Sequence, residues 1–550
     1  MEEEKNELLE LSSAEKGLCS SKSLGSEKLE LTVDQVIEEY VGSFGFSQLL
    51  HVFLVSLAWI FDAQSTLVTI FADAQPDGWR CISSSSSSSC RLTNISSGDA
   101  ASVCGLKPGT WEWMGGNTSS TIAEWGLICD RKFLAAMPAS FYFLGSLVGA
   151  SVYGYLADAF LGRKRAVLIS CLLTSVTIFL TSLSPNIWLY SLLRFANGFS
   201  RSGIGICSLV LTTEVVGVKW RGQVGQYGFF FFAVGFVSIP LIAYPCRNSW
   251  RSLYKIISFL PLVYSIFVLL PFVSESPRWL LVRGRRKEAL DVLRRYARLN
   301  GRKIPPNLCI SEPSVATQET SKGEEVLQER TLWNTKWAAK RMALVMMTGF
   351  GIGFVYFGVQ LNVENLNFNL YFAVAANAMM EISAVFIGGV LLSVAKRRLI
   401  FSQLAFIAGL SSILCILFSG GKQGILDKSG GSWPEFALEA IEFMAASTAF
   451  NVLFVYTVEL FPTNVRSFAV SVLRQAMVLG ASIAPLLVAV GRYSPALAFL
   501  IFGALSIFSG LMILWLPETR NSPLYETLEQ QEQEGQLNSA PNHLETELSK

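Results

Sequence analysis

Four ionisable residues stand inside long apolar stretches of this sequence, where a charge is costly to keep. Asp62 lies about two-thirds of the way along one apolar run, Arg201 and Glu381 lie near the middle of two others, and Arg474 is two turns inside a fourth. A carboxylate in such a place can bind an organic cation or hold a proton, and an arginine can bind a carboxylate. The pattern therefore predicts binding of small charged molecules; the alternative is buried ion pairs that only fix helix packing.

Residues for enzyme chemistry are scarce. Histidine, a frequent general base, occurs only at His51 and His543. We find no HExxH, GxxxxGK[ST] or GxSxG arrangement, and Gly420-Gly421-Lys422-Gln423 lacks the leading glycine spacing and the hydroxyl residue of a phosphate-binding loop. We therefore expect no enzyme activity, no direct use of ATP, no cofactor and no metal site.

The composition predicts a membrane protein. The 550 residues are 51% hydrophobic and 16% charged, with a mean hydropathy of +0.42. Soluble domains carry about a quarter charged residues, so the expected surroundings are a lipid bilayer. The net charge of only +2 offers no basic surface for nucleic acid.

Twelve apolar runs are long enough to cross a bilayer, which takes about 20 residues. Backbone polar groups cannot stay unpaired in lipid, so each run must be helical. The runs lie near 47–72, 134–157, 166–184, 187–213, 222–244, 251–273, 341–361, 369–394, 399–418, 435–459, 467–491 and 495–516. We predict an all-α membrane protein with twelve transmembrane helices in two six-helix halves.

Basic residues in the short loops predict the orientation. The basic clusters at 163–165, 219–221, 283–298 and 396–398 all fall on one side, which marks the cytosolic face. The acidic start, Met1-Glu2-Glu3-Glu4, has no signal-peptide pattern and agrees with this assignment. The predicted organisation is a cytosolic N-terminal segment (1–46), an N-terminal half (47–273) with a non-cytosolic loop (73–133), a central cytosolic loop (274–340), a C-terminal half (341–516) and a cytosolic tail (517–550).

Charged landmarks recur at a nearly constant offset. Glu214 and Arg221 recur 245 residues later as Glu459 and Arg466, and Glu275 recurs 243 residues later as Glu518, which indicates a duplicated half. They lie at cytosolic helix ends, too far from mid-membrane to bind substrate, and simple capping does not explain one spacing used twice. We predict that they gate the inner face. The predicted gating residues are Asp158, Arg163, Glu214, Arg221, Glu275, Arg278, Glu459, Arg466, Glu518 and Arg520.

The long polar loop after the first run carries features of an oxidising compartment. It has four disulfide candidates and two sequons, which predict disulfides of undetermined pairing and glycosylation. The alternative is that the sequons occur by chance and some cysteines are free. The residues are Cys81, Cys90, Cys104 and Cys129, with Asn94 and Asn117.

Several short motifs occur in a fixed order. They are Pro76-Asp77, the EWGLIC stretch 124–129, ESPRWL at 275–280, FVYFG at 354–358, ELFPT at 459–463 and LPET at 516–519. In this order the chain resembles the organic ion transporter family of the major facilitator superfamily, most closely its plant-type organic cation/carnitine members. The loop between helices two and three departs from the superfamily pattern, because Asp158 is followed by Ala159 and the first arginine is missing.

The resemblance implies a secondary active or facilitative transporter of small organic cations or zwitterions, such as carnitine, that works by alternating access. An organic anion or sugar transporter of the same fold and a membrane substrate sensor without transport are the alternatives. A proton or a sodium ion is the expected coupling ion. The plasma membrane and the vacuolar membrane both satisfy the orientation.

The resemblance also places the substrate site near mid-membrane, between the two halves. Glu381 is expected to meet a cationic head, and Arg474 a carboxylate, because Val478 one turn further on is neutral. Aromatic and polar side chains on neighbouring helices complete the set. The predicted substrate-binding residues are Asp62, Arg201, Tyr227, Tyr356, Gln360, Glu381 and Arg474.

Overall fold

Helices of membrane-spanning length make up most of the described chain. The computed structural model describes residues 29–76, 78–82, 103–104, 106, 109–305, 308–310, 332–366, 368–419, 433–520, 528 and 530–532. The long helices are α1 (Phe46–Ala72), α2 (Met137–Leu156), α3 (Arg163–Thr181), α4 (Ile187–Thr213), α5 (Arg221–Ala243), α6 (Trp250–Phe272), α7 (Lys336–Asn362), α8 (Leu370–Val394), α9 (Arg397–Ser419), α10 (Trp433–Leu460), α11 (Thr463–Gly491) and α12 (Pro495–Met512).

Eleven of these helices are long and apolar enough to cross a membrane, and α4 is the twelfth. With 27 residues, α4 is about 40 Å long, which also spans a bilayer. It is less apolar because one face buries polar side chains, which must face protein rather than lipid. That face includes Arg194, Asn197, Ser200, Arg201 and Ser202. The predicted twelve-helix fold is confirmed.

The two halves use the same helix pairs. In the N-terminal half α1 packs on α5, α2 on α4, and α3 on both α4 and α6. In the C-terminal half α7 packs on α11, α8 on α10, and α9 on both α10 and α12. Each pair recurs with helix numbers raised by six, so the sequence duplication corresponds to a duplicated packing arrangement.

The halves meet along two seams, where α2 packs against α11 and α5 against α8. Within the N-terminal half, α2 and α4 approach so closely that a Cβ on Gly198 would overlap the carbonyl oxygen of Tyr142. Glycine at this position therefore lets α4 bring its polar face against α2 and α1.

Short strands occur outside the spans. In the loop predicted to be external, β2 (Trp79–Cys81) pairs antiparallel with β3 (Trp111–Trp113). On the opposite face, predicted to be cytosolic, β1 (Leu29–Leu31) pairs in parallel with β4 (Leu308–Ile310); the two faces are called external and cytosolic below according to this prediction. That pairing joins the segment before α1 to the segment after α6, and so fastens both to the N-terminal half.

Candidate functional site

Asp62 and Arg201 form a buried ion pair in the centre of the N-terminal half. Arg201 Nη1 lies 2.7 Å from Asp62 Oδ1, and the two side chains are 9% and 4% exposed. The same nitrogen donates to Thr66 Oγ1 at 3.0 Å, and that hydroxyl donates to the Asp62 carbonyl oxygen. The two predicted residues therefore neutralise each other.

Tyr142 of α2 completes this group and was not predicted. Its hydroxyl lies 2.9 Å from Thr66 Oγ1 and 3.2 Å from Ser65 Oγ. The Arg194 guanidinium lies over its ring, 4.2 Å from the centroid, and that of Arg201 lies 5.5 Å away. An aromatic residue inside an apolar run gives no signal in the sequence that separates this role from ordinary packing.

Glu381 of α8 has no cationic partner in the described part of the chain. The Tyr356 hydroxyl donates to Glu381 Oε1 at 3.1 Å, while Oε2 is buried without a hydrogen-bond partner. The Tyr356 ring stacks on Phe450 at 4.7 Å and on Phe443 at 5.9 Å between centroids. A lone carboxylate beside stacked aromatic faces suits a quaternary ammonium group, which gains from both charge and ring contacts.

Two other residues predicted to bind substrate, Gln360 and Tyr227, lie at different distances from the Glu381 group. Gln360 is buried on α7, one turn beyond Tyr356. Tyr227 lies in the second turn of α5 at its cytosolic end, with 36% of the residue exposed. The structure thus brings Gln360 toward the Glu381 group and leaves Tyr227 outside it.

Arg474 of α11 reaches across the boundary between the halves. Its Nη2 lies 2.7 Å from where a Cβ on Gly205 of α4 would stand. Asp62 and Arg201 are close enough to influence its charge electrostatically, but no carboxylate of the described residues lies within ion-pair distance. A half-buried arginine with this environment can receive the carboxylate of a ligand.

Contacts between the halves concentrate at the external end. Arg492, at the end of α11, pairs with Glu364 at 2.8 Å, and both side chains are buried. Arg492 Nη2 also donates to the carbonyl oxygen of Asp73, at the end of α1, at 3.3 Å. The neighbouring Tyr493 hydroxyl donates to the carbonyl oxygen of Cys129 at 2.9 Å. The bonds of Arg492 and Tyr493 to the N-terminal half, the external contact group, hold the halves together on that side, while Glu364 holds Arg492 in place within the C-terminal half.

An aromatic contact adds to this closure. Tyr371 at the start of α8 stacks on Phe71 at the end of α1, with 5.0 Å between centroids, and meets Tyr244 of α5 edge-on at 5.5 Å. Both rings that Tyr371 contacts belong to the N-terminal half. The external side is therefore closed.

The Asp73 side chain, just beyond α1, accepts hydrogen bonds from Thr121 at 2.7 Å and from Tyr190 at 2.9 Å. Burial raises the pKa of Asp73 to about 6, against the lowering effect of these bonds and of Arg194 and Arg492. Burial thus moves the titration of this carboxyl closer to neutral pH than that of an exposed aspartate.

Replacing Arg492 with alanine is expected to open the external face, because the side chain that donates to Asp73 of the N-terminal half disappears. A cysteine placed at Ala489, which lines the same small external pocket, should react roughly tenfold faster with an impermeant maleimide, as a loss of about 1.4 kcal/mol in closure predicts. Arg80→Ala, at an exposed arginine of the loop after α1, is the control. Equal labelling rates in all three backgrounds would contradict the closing role.

The cytosolic end of the N-terminal half carries a charge cluster, the N-half network. Arg163 pairs with Asp158 at 2.8 Å and with Glu214 at 3.5 Å. The backbone N–H groups of Arg163 and Lys164, at the start of α3, donate to Glu275 at 3.0 Å each. Burial raises the pKa of Glu214, against the effect of Arg163. These four predicted gating residues meet in one place.

Arg221 and Arg278 find a partner that was not predicted. Both pair with Asp34 of the N-terminal segment, Arg221 at 2.5 Å, and Arg278 Nε also donates to the Glu214 carbonyl oxygen at 3.4 Å. Glu214 and Arg221, seven residues apart, thus belong to adjacent clusters. Asp34 carried no signal in the sequence, because its partners lie 187 and 244 residues away.

The C-half network repeats this geometry. Arg397 pairs with Glu459 at 3.0 Å, as Arg163 does with Glu214. The backbone N–H groups of Arg397 and Arg398, at the start of α9, donate to Glu518 at 2.9 and 3.3 Å. Arg397 is therefore the counterpart of Arg163, although the sequence showed only a basic cluster there.

The remaining predicted gating residues contact backbone oxygens. Arg466 Nε donates to the Phe461 carbonyl at 3.3 Å, and Arg520 donates to the Val394 carbonyl. Among the described residues, every ion pair of the two networks joins groups of the same half. The halves are thus fastened to each other at the external end, while each cytosolic network is internal to its half.

The external loop contains a disulfide between Cys104 and Cys129, and Cys81 is also disulfide-bonded. Asn117 is exposed in this loop. Cys90 and Asn94 lie outside the described residues, so their predicted roles stay predictions.

Comparison with known proteins agrees with these observations. Residues 83–530 match the family described as "Sugar (and other) transporter". Organic cation/carnitine transporter 3 of Arabidopsis thaliana is 41% identical over 503 residues, covering 91% of this chain and 93% of that protein. Organic cation/carnitine transporter 2 of the same plant is 40% identical, covering 91% and 94%. The inward-open xylose transporter XylE from E. coli has a TM-score of 0.61 at 15% identity, covering 88% and 99%, which shows the shared fold.

Proposed function

Because this chain belongs to the family of sugar and other transporters, and within it to the organic cation/carnitine transporters, we propose that it carries small organic cations or zwitterions such as carnitine across a membrane. It is a multi-pass integral membrane protein and a transporter rather than an enzyme. The observation that supports this substrate class best is Glu381, a buried carboxylate without a cationic partner in the described chain.

The cationic group of the substrate binds at Glu381. Tyr356 orients one carboxylate oxygen, and the other is unpaired and available to a positive charge. The rings of Tyr356, Phe443 and Phe450 lie beside it, and each good contact of a quaternary ammonium with a ring face contributes about 0.5–2 kcal/mol.

The carboxylate of a zwitterion binds at Arg474. Glu381 is eleven residues inside α8 from its external end, and Arg474 is eleven residues inside α11 from its cytosolic end. At 1.5 Å per residue each lies about 16 Å from its own surface, so both are in the middle of the membrane. Opposite charges at this depth match the two ends of carnitine.

Transport proceeds by rocking of one half against the other around this site. The external contact group must separate for the site to open outward. The N-half and C-half networks gate the inner face, and their repeated geometry supports one mechanism for both halves. A proton or a sodium ion drives accumulation, and the protein resides in the plasma membrane or the vacuolar membrane.

Uptake of carnitine and tetraethylammonium into proteoliposomes tests this function, with Arg474→Gln as the discriminating variant. Removing the partner of a buried charged group costs about 2–5 kcal/mol, so carnitine uptake should fall more than tenfold. Tetraethylammonium has no carboxylate, and its uptake should change little. Arg298→Gln, on the cytosolic helix Arg286–Leu299, is the control.

Organic anions are the alternative substrates, which the unpaired guanidinium of Arg474 favours. Uptake of a dicarboxylate such as succinate, with no uptake of either cation, would replace the cation proposal by the anion one. Saturable binding of carnitine without flux would indicate a sensor. Equal loss of carnitine and tetraethylammonium uptake in Arg474→Gln would remove the carboxylate role of this residue.

A further inference from the structure

Three glutamates lie on one buried face of α10. Glu435, Glu439 and Glu442 occupy positions i, i+4 and i+7, and each is at most 2% exposed. Glu435 is in the first, external turn of the helix. No step of the substrate-binding scheme uses them.

Their polar surroundings lack a donor for several buried oxygens. Asn377 of α8 donates from Nδ2 to Glu439 Oε1 at 2.8 Å. Glu439 Oε2 and both carboxylate oxygens of Glu442 have no hydrogen-bond partner. The amide oxygen of Asn377, a fully buried side chain at the same point, has none either. A ligand that supplies hydrogen-bond donors, or positive charge, would satisfy all of these atoms.

No basic side chain of the neighbouring helices, in the described part of the chain, pairs with Glu439 or Glu442. In sequence α8 has no lysine or arginine, and α9 has only Arg397 and Arg398 at its cytosolic start. The polar groups that face the acids are Cys415 and Ser412 of α9 and Asn377 of α8. On α7, Tyr356 lies at this depth and the basic residues lie at 336–341, near the predicted cytosolic face. On α11, Arg474 is 17 residues from the external end, deeper in the membrane than Glu439 and Glu442.

The Asn377–Glu439 bond sets the register of α8 against α10, which run in the same direction from the external side. Glu442 is three residues further in, and Glu381 is four residues beyond Asn377. They therefore stand about 4.5 and 6 Å deeper than the bond, at nearly the same depth. In depth, the carboxyl groups of α10 therefore extend from its external end to the level of the substrate-binding Glu381.

We propose that Glu435, Glu439 and Glu442 form a proton pathway that joins the external side to Glu381 through the interior of the C-terminal half. This rests on the proposed transport function and identifies its coupling ion as a proton that enters from outside. Isolated carboxylates are tolerated in a low-dielectric interior in their neutral, protonated form. In each step the O–H bond of a protonated carboxyl breaks and an O–H bond forms on the next carboxylate, which has already passed its own proton inward, so charge and atoms balance.

A bound metal cation fits this arrangement less well than protons. In the described residues, no three His, Cys, Asp or Glu side chains converge as ligands of a metal ion. The spacing along α10 places successive glutamates about 6 and 4.5 Å apart in height, so each holds its own proton. A sodium site would need several oxygens around one point.

Glu439→Gln and Glu442→Gln test the pathway in proteoliposomes that carry carnitine. A pH gradient of one unit can drive about tenfold accumulation for one coupled proton. We expect both variants to keep carnitine exchange at equal pH and to lose the stimulation by an external acidic pH. Glu381→Gln should lose exchange as well, and Glu112→Gln, at an exposed external residue, should behave like the wild-type protein.

Infrared spectroscopy of the purified protein supplies a readout that does not depend on transport. The absorption of protonated carboxyl groups at neutral pH should decrease in Glu442→Gln and not in Glu112→Gln. Full gradient stimulation in both pathway variants, or an unchanged infrared band in Glu442→Gln, would overturn the pathway. Wild-type exchange without any response to pH would overturn it too and leave the carrier function intact. If the wild-type protein does not exchange carnitine at all, the proposed function itself is refuted.

Discussion

Glu381→Gln is expected to reduce the uptake of carnitine and of tetraethylammonium alike, by on the order of a hundredfold. Both substrates present a quaternary ammonium to this carboxylate, and losing one member of a buried charge pair costs about 2–5 kcal/mol. Glutamine has nearly the same shape and can still accept the Tyr356 hydroxyl, so the fold should persist. Initial rates of uptake into proteoliposomes measure the effect.

Two variants separate charge from packing. Tyr356→Phe removes the hydroxyl that orients Glu381 and keeps the stacked ring. Its uptake should therefore fall less than that of Glu381→Gln, by the fold-change that corresponds to the free energy of one hydrogen bond to a charged group. Glu288→Gln, on the cytosolic helix Arg286–Leu299, should leave uptake unchanged. Wild-type rates in Glu381→Gln would return this residue to a packing role and remove the main support for a cation site.

Arg201→Ala is expected to lower the stability of the folded protein by about 3–5 kcal/mol, because it leaves Asp62 charged and buried without a partner. The double variant Asp62→Asn/Arg201→Gln removes both charges and should recover much of that loss. Thermal unfolding in detergent, followed by the amount of monodisperse protein left after heating, measures the difference. A non-additive double-mutant cycle is the signature of a coupled pair.

The outcome distinguishes two roles of this pair. Recovery in the double variant together with normal uptake assigns Asp62 and Arg201 to packing of α1 against α4. Recovery of stability without recovery of uptake assigns them to transport, because the double variant is then folded and still needs the two charges to carry substrate. Additive losses in the cycle would contradict the structural pair itself.

The sequence predicted the architecture well, because its determinants are local and repetitive. Apolar runs of bilayer length predict helices, basic loops predict their orientation, and the repeat of Glu214 and Glu459 predicts the duplication. Helix α4 shows where hydropathy alone is insufficient. It is long enough to span a bilayer, but its buried polar face makes it less apolar than the eleven helices that meet the hydropathy criterion.

The partners of the predicted residues were beyond the reach of the sequence. Arg397 stood in a basic cluster, and only the fold showed that it contacts Glu459 as Arg163 contacts Glu214. Asp34, Tyr142 and the external pair of Glu364 with Arg492 were missed for the same reason. Such pairings depend on helices that are distant along the chain and adjacent in space.

The sequence by itself determined a duplicated twelve-helix membrane protein, its resemblance to organic ion transporters and the presence of a few costly charges inside the bilayer, and it predicts the orientation. Only the tertiary structure decided which of those charges are already neutralised. Asp62 and Arg201 satisfy each other, whereas Glu381 and Arg474 do not. The physical reason is that a charge in a low-dielectric interior is defined by its neighbours within a few ångströms, and packing of separate helices sets those neighbours.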